Sequence, residues 1–312
     1  MEISIRESCI RCGRCVKVCP SQIFEQEGAG APVTLCNPGS CIVCGHCVAA
    51  CPTGSVAHEA FPPERVHAAD YAALPTPEQV ELLMAVRRSN RALKKTPVPQ
   101  EMLDRIVAAA DRAPTASNAR QLGYTLVTDP EKLRGITEYT LGVFGKLEKR
   151  LRSPLVRPWL SRIVPEVYRY VPVFERLRRE YAEGRDRVLR GATAVLFIHA
   201  PKENRFGAED ANLACQNASL MAEALGVSQI YMGFVLTALR QDRAARLNGM
   251  LGLEGRRICA AMAFGMPQFR YPNYIDREPA EVTHLSLIRK AIINHPLVRI
   301  DNSRMHYTES SV

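Results

Sequence analysis

Residues 9–20 read Cys9-Ile10-Arg11-Cys12-Gly13-Arg14-Cys15-Val16-Lys17-Val18-Cys19-Pro20, and the same spacing returns 32 positions later as Cys41-Ile42-Val43-Cys44-Gly45-His46-Cys47-Val48-Ala49-Ala50-Cys51-Pro52. A cube of four irons and four sulfides needs four thiolates at its corners. Three come readily from one tight loop at C-x2-C-x2-C spacing, and the fourth Cys of each run reaches across to the other cluster. That rule assigns Cys9, Cys12, Cys15 and Cys51 to one [4Fe–4S] cluster and Cys41, Cys44, Cys47 and Cys19 to a second. Zinc sites are built from two ligand pairs and give no reason for the doubled run. Nine of the eleven cysteines lie between Cys9 and Cys51. A secreted disulfide scaffold could show that density, but the start MEISIRESCI lacks the basic head and apolar core of a secretory signal. The sequence therefore predicts metal-bound cysteines and a cytoplasmic protein.

The first 58 residues resemble the bacterial two-cluster ferredoxins. Cys36 falls outside the ligand pattern and reads as a small buried hydrophobe, as do Cys215 and Cys259 in their apolar contexts. His46, between two ligands, reads as a hydrogen-bonding neighbour of the cluster. Two adjacent clusters form a one-electron wire, which by itself cannot carry out two-electron chemistry on an organic molecule. The rest of the chain must supply a two-electron cofactor or a docking function.

With 312 residues, 46% hydrophobic and 23% charged, the chain has room for a second, larger unit and is not a mainly disordered, collagen-like or coiled-coil protein. No apolar run approaches a membrane span. The formal charge of +9 is concentrated. Lys146 to Arg190 carries 13 basic and 6 acidic side chains, so the excess is local, and no nucleic-acid-binding motif accompanies it. After a proline-rich stretch from Phe61 to Pro77, helix and strand signals alternate. Helices are expected over about Pro77–Arg88, Gln100–Ala113 and Ala208–Leu225, and strands over Tyr124–Val127, Ala192–His199 and Arg257–Phe264. Prolines 154, 158, 165 and 172 break Ser153–Phe174 into short helices. Their apolar face is expected to pack on the domain or a partner subunit in preference to a membrane surface.

Arg87-Arg88-Ser89-Asn90-Arg91 closes the first of these helices. Pro97-Val98-Pro99 follows, then a helix ending Ala113-Pro114-Thr115-Ala116-Ser117-Asn118. Gly207 to Asp210, Gly226, Tyr231-Met232-Gly233-Phe234 and Gly265-Met266-Pro267 come further on. In this order and spacing the motifs resemble the FMN-dependent nitroreductase family, and Met266 to Pro279 is similar to its subgroup with an N-terminal ferredoxin module. The implied fold is α+β, a nitroreductase-like mixed sheet flanked by helices and preceded by a small two-cluster ferredoxin-like domain. The implied division is 1–58 for the ferredoxin-like domain, 59–77 for a linker and 78–282 for the FMN-binding domain. Residues 283–312 form a C-terminal extension whose Leu285, Ile288, Ile292 and Ile293 suit wrapping around a second subunit.

The resemblance also implies site residues. Arg87 and Arg277 match phosphate contacts, where fixed guanidinium forks suit a dianion. Ser89 and Arg91 match positions reaching the phosphate and the pyrimidine edge of the ring. Asn118 matches an amide bonded to the ring edge, and Met232-Gly233 a backbone contact near the flavin N5, with Gly233 allowing close approach. Arg88 joins this set by position, though it suits solvent or a partner subunit equally. Arg120 departs from the family's neutral residue; it either favours an anionic substrate, tunes the flavin, or forms an ion pair within a dimer. No side chain stands out as a general acid, because the flavin carries the chemistry. No G-x-G-x-x-G fingerprint marks a separate nicotinamide site. The expectation is a homodimeric reductase with FMN and two [4Fe–4S] clusters, fed by a one-electron donor protein or by NAD(P)H, acting on a nitro, quinone or similar electrophile. The alternatives are a flavin-dependent reductive dehalogenase or double-bond reductase, and a non-catalytic electron-transfer or redox-sensor protein.

Overall fold

The computed structural model describes residues 1–284 and the backbone of 298–299. The expected contacts of Leu285, Ile288, Ile292 and Ile293 lie outside these residues.

In the N-terminal unit, β1 (Ile3–Ile5) is followed by α1 (Arg14–Val18), β2 (Phe24–Glu25), β3 (Thr34–Leu35), α2 (His46–Ala49) and β4 (Val56–His58). β1 pairs antiparallel with β4 and β2 with β3, so the first and last segments close on each other. The two short helices start identically. Each follows a left-handed glycine, Gly13 (φ 68°) or Gly45 (φ 75°), at the turn between the second and third cysteines of its run. The core is small: Ile3, Ile23, Phe24, Val33, Val48 and Val56 with the side chains of Cys15 and Cys47. A unit of this size rarely holds together on so little apolar burial without a metal staple.

The larger unit runs α3 (Pro77–Val86), α4 (Gln100–Asp111), β5 (Gly123–Val127), α5 (Pro130–Arg152), α6 (Arg157–Ile163), α7 (Pro165–Tyr168), α8 (Val171–Ala182), β6 (Ala194–Pro201), α9 (Gly207–Ala224), β7 (Ser228–Tyr231), α10 (Gly233–Gln241), α11 (Arg246–Met250), β8 (Arg256–Gly265) and β9 (Ala280–Glu281). The last pairs in parallel with β10 (Val298–Arg299). α3 opens with a capping box: Gln79 N–H donates to Thr76 Oγ1, and Thr76 N–H to Gln79 Oε1.

The central sheet has the order β5-β6-β8-β7, each neighbouring pair antiparallel. Seven of the eight residues of β6 are buried because the sheet is covered on both faces. Leu196 and Ile198 point to one side with Ala260, Met262 and Phe264, where α4 and α9 pack through Leu103, Ile106, Ala214 and Ala218. Val195 and Phe197 point to the other with Ala261 and Ala263, beneath Ile136 and Phe144 of α5, Phe174 of α8 and Val235 of α10. The result is a helix–sheet–helix sandwich.

The proline-broken segment forms α6, α7 and the start of α8, with Pro158, Pro165 and Pro172 in the first turns, where their missing N–H costs nothing. Its apolar face does not pack inward as one option supposed. Leu155 (86%), Trp159 (75%) and Ile163 (71%) are exposed, and the segment reaches the core only through α8, by Val171, Phe174 and Leu177. Much of the local positive charge is met by acids: Glu148 by Arg152 and Arg178, and Glu180 by Arg185 and Arg187.

Candidate cofactor sites

The cysteines gather as the spacing rule assigns them. Cys9, Cys12, Cys15 and Cys51 line one small cavity, and Cys19, Cys41, Cys44 and Cys47 line another. Within each quartet the thiols surround a space instead of converging on one point, the arrangement a multi-atom cube requires. Backbone amides already aim at the sulfurs. Arg11 N–H donates to Cys9 Sγ and Ser55 N–H to Cys51 Sγ in the first quartet; Ile23 N–H donates to Cys19 Sγ and Val43 N–H to Cys41 Sγ in the second. Such donors stabilise thiolate charge and tune cluster potential. Burial pushes the Cys15 thiol up and that of Cys47 to about 11. Burial also acts to raise Cys51, but hydrogen bonds from Thr53, Val56 and Ser55 bring it below the ordinary thiol value. Metal must displace the protons held at Cys15 and Cys47, so cluster assembly is coupled to proton release.

Three expectations about neighbouring residues change. His46 is exposed, whereas His58 Nε2 lies 3.6 Å from Cys41 Sγ and its ring packs tilted against Phe61. Cys36 is exposed just past β3, donating from Sγ to Gln22 O, because the turn that carries it runs over the surface. Cys215 is buried in α9 and its thiol is pushed up to about 12, as expected of an inert core residue; Cys259 is only partly buried.

In the larger unit a cleft of about 710 Å³ lies between the β7–α10 turn and the insert helices, α6–α8, which connect α5 to β6. Its floor and walls are apolar, including Phe144, Phe174, Ile230, Met232 and Phe234, and Arg91, Arg187 and Arg190 stand on its rim. That volume and composition suit a cofactor-sized ligand. Met232 is fixed by its own N–H donating to Ala261 O, and Gly233 begins α10. A Cβ on Gly233 would meet no protein atom within 4 Å, so protein packing does not demand glycine there. A flat ligand lying close against the turn would. Arg190 has a left-handed backbone (φ 57°), and its guanidinium pKa is depressed by burial and by Arg91 and Arg187. This concentration of cations suits an anion.

Arg91 reaches the rim from a loop tied down along its length. Gln229 Nε2 donates to Arg88 O, Asn90 Nδ2 to Phe269 O, and Arg91 Nη1 to Ser89 O, while Leu93 bridges to Pro267. The structure thus brings Arg91, Met232 and Gly233 to one cleft. Arg87, Arg88 and Ser89 lie in the preceding half-buried turn, Arg87 near Glu223, and do not line the cleft. Arg277 lies on the exposed stretch after β8. Arg187, Arg190 and Phe174 are cleft residues that no motif marks, while Phe234 closes the Tyr231–Phe234 motif.

Asn118 and Arg120 sit elsewhere, on the loop between α4 and β5. Ser117, Asn118 and Arg120 all have positive φ, and the loop is held by buried Asp210, whose Oδ1 accepts from Ala116 N–H at 3.0 Å. Arg120 makes an exposed ion pair with Asp111 of its own chain, 3.7 Å away. The Asn118 amide turns toward the cysteine module: Nδ2 donates to Ile42 O (2.9 Å) and Val43 O (2.8 Å), between Cys41 and Cys44.

Residues 84–266, more than half of the chain, match the model of the nitroreductase family, and residues 8–55 match that of the 4Fe-4S dicluster domain. The chain belongs to the nitroreductase family and carries a dicluster ferredoxin-type module ahead of that domain. It is similar to an FMN reductase [NAD(P)H] of Bacillus subtilis (strain 168), 28% identical over 151 residues that cover 47% of this chain and 51% of that protein. The chain thus spans about half the length of the curated relative it matches. In fold it is similar to a nitroreductase with bound FMN from Desulfitobacterium hafniense DCB-2, with a TM-score of 0.50, 20% identity, and coverage of 66% of this chain and 98% of that one. A nitroreductase with bound FMN from Bacteroides fragilis NCTC 9343 aligns with a TM-score of 0.47, 18% identity, and coverage of 67% and 98%. Among the described residues, no helix is long and apolar enough to cross a membrane.

Proposed function

We propose that the chain is an FMN-dependent reductase that receives electrons through two [4Fe–4S] clusters or from NAD(P)H and passes them to a small electrophile, of which nitro compounds and quinones are the first candidates. The observation that carries this reading is the cleft, with an apolar floor at Met232, a glycine at the turn and arginines on the rim, in a domain of the nitroreductase family. FMN, when bound, supplies two-electron storage fed one electron at a time. The remaining work falls to the chain. Met232 and Phe234 offer apolar surface to a ring. Gly233 leaves space for its close approach. Arg91 and Arg190 hold negative charge, whether on a phosphate or on the edge of a reduced ring. Tyr170 and Phe174 wall the cleft on the insert side and keep bulk water from part of it.

Arg87 and Arg277 remain proposed phosphate contacts and Asn118 a ring-edge contact, although none of the three lines the cleft of its own chain. A homodimer is part of the reading. α3 buries none of its residues, and Val80 and Met84, one turn apart on the same face, are exposed with Leu82 on the other side, apolar surface that a second copy would cover. The test is anaerobic turnover of a nitroaromatic and a quinone by Gly233→Val beside the parent protein. A side chain projecting into the cleft should cut FMN occupancy and turnover at least tenfold while leaving iron content unchanged. Full flavin occupancy in this variant would contradict the site.

A further inference from the structure

We propose, building on the reading above, that the two clusters act in a fixed order. The quartet Cys9, Cys12, Cys15 and Cys51 takes electrons from an acidic one-electron carrier protein. The quartet Cys19, Cys41, Cys44 and Cys47, which lies at the Asn118 joint, hands them on to the flavin of the larger unit. The first observation is the amide clamp. A side-chain amide has two N–H donors and one carbonyl acceptor. Both donors of Asn118 are accounted for by Ile42 O and Val43 O, inside the Cys41–Cys44 ligand loop. Among the described residues, these are the hydrogen bonds that join the cysteine module to the larger unit. The joint therefore sits at the second quartet, and Asp210 braces the Asn118 loop from beneath. Tunnelling rates fall steeply with distance, so the cluster at the joint is the one that delivers.

The second observation is what surrounds the first quartet. Cys12 is exposed, and so is Ile10 (61%). Arg6, Arg11, Arg14 and Lys17 are exposed around them, with Glu7 the one acid in that stretch, and none of these four cations has an ion-pair partner among the described residues. A bare basic collar around an exposed ligand and one apolar side chain complements an acidic carrier, whose approach it would steer. In each passage the donor protein is oxidised by one electron and the flavin is reduced by one. Two passages and one proton from water give the two-electron-reduced anionic flavin, and the clusters return to their starting state.

The test uses the full-length holoprotein mixed anaerobically with reduced flavodoxin, an acidic one-electron donor, while cluster and flavin bleaching are followed separately. Arg14→Glu with Lys17→Glu should slow cluster reduction at least tenfold at low salt, a difference that shrinks as salt rises, with iron content unchanged. Cys44→Ala should halve the iron and leave a first cluster that flavodoxin still reduces and a flavin that no longer bleaches. Asn118→Ala should raise amide hydrogen exchange at Val43 to Gly45 and, in the molecules that keep FMN, slow flavin bleaching at least tenfold relative to cluster bleaching. Flavin bleaching at the parent rate in Cys44→Ala, or no response to the charge reversal, would overturn the proposed order. A parent protein that binds no FMN would instead refute the reductase reading, so the two failures are distinguishable.

Discussion

In the cysteine module every expected ligand lies between Cys9 and Cys51, and the same Cys-Gly turn is used twice to start a helix at a cluster. The cleft of the larger unit instead draws on Arg91, Phe174, Arg190 and Met232, residues far apart in the chain and brought together by the sheet and its insert helices. The difference is one of where folding energy comes from. The larger unit has buried apolar layers on both faces of a four-stranded sheet. The small module has one thin core and relies on its metal to hold both runs together. A site written locally therefore depends on its cofactor for structure, whereas a site assembled over distance rests on a scaffold that stands without it.

Removing the clusters is the strongest way to break this comparison. Oxidative loss of iron and sulfide should unfold residues 1–58, abolishing amide protection in β1 and β4, while the larger unit retains a cooperative melt. Loss of both units together would show that they form one cooperative structure. The converse perturbation is Phe197→Ala. This side chain is fully buried beneath α5, and its truncation should cost about 3–5 kcal/mol in chemical denaturation of the larger unit, with parent iron content.

A smaller effect sharpens the same contrast through pH. His199 is buried in β6; Arg256 Nε donates to its Nδ1, and its Nε2 is 3.0 Å from Thr125 Oγ1. Burial, with the charge of Arg256, lowers its pKa from 6.5 to about 4. Between those values the unfolded chain binds a proton that the folded one refuses. Stability of the larger unit should therefore fall as pH drops from 6.5 toward 4, by at most about 3 kcal/mol, and be unaffected by this group above 6.5. His199→Gln should flatten that slope in denaturation curves taken across the window, and an unchanged slope would remove His199 as its source.

How much could be read in advance follows the same division. The gathering of the cysteines into two quartets was legible because spacing alone brings three of each four together. β6, β8 and α9 were legible from apolar periodicity, and the observed bounds differ from the expected ones by a residue or two at most positions. α5 was not anticipated. Gly135, Gly142 and Gly145 interrupt its helix-favouring residues, and only tertiary packing of Ile136 and Phe144 on the sheet makes a 23-residue helix of it. Arg187 and Arg190 belong to a basic run that reads as solvated surface until the chain folds back over β7. The contact of His58 with Cys41, and that of Asn118 with the Ile42–Val43 carbonyls, depend on how distant segments meet, which no local pattern encodes.

The central claim is that one chain holds a two-cluster wire and a flavin in working contact. Its most direct test is the iron, sulfide and flavin content of protein purified without oxygen, followed optically through stepwise reduction by dithionite. The expected result is about eight irons and eight sulfides per chain, one FMN, and bleaching of both chromophores. Eight irons without flavin, and no FMN taken up on addition, would contradict it and leave the larger unit as a scaffold around an electron carrier.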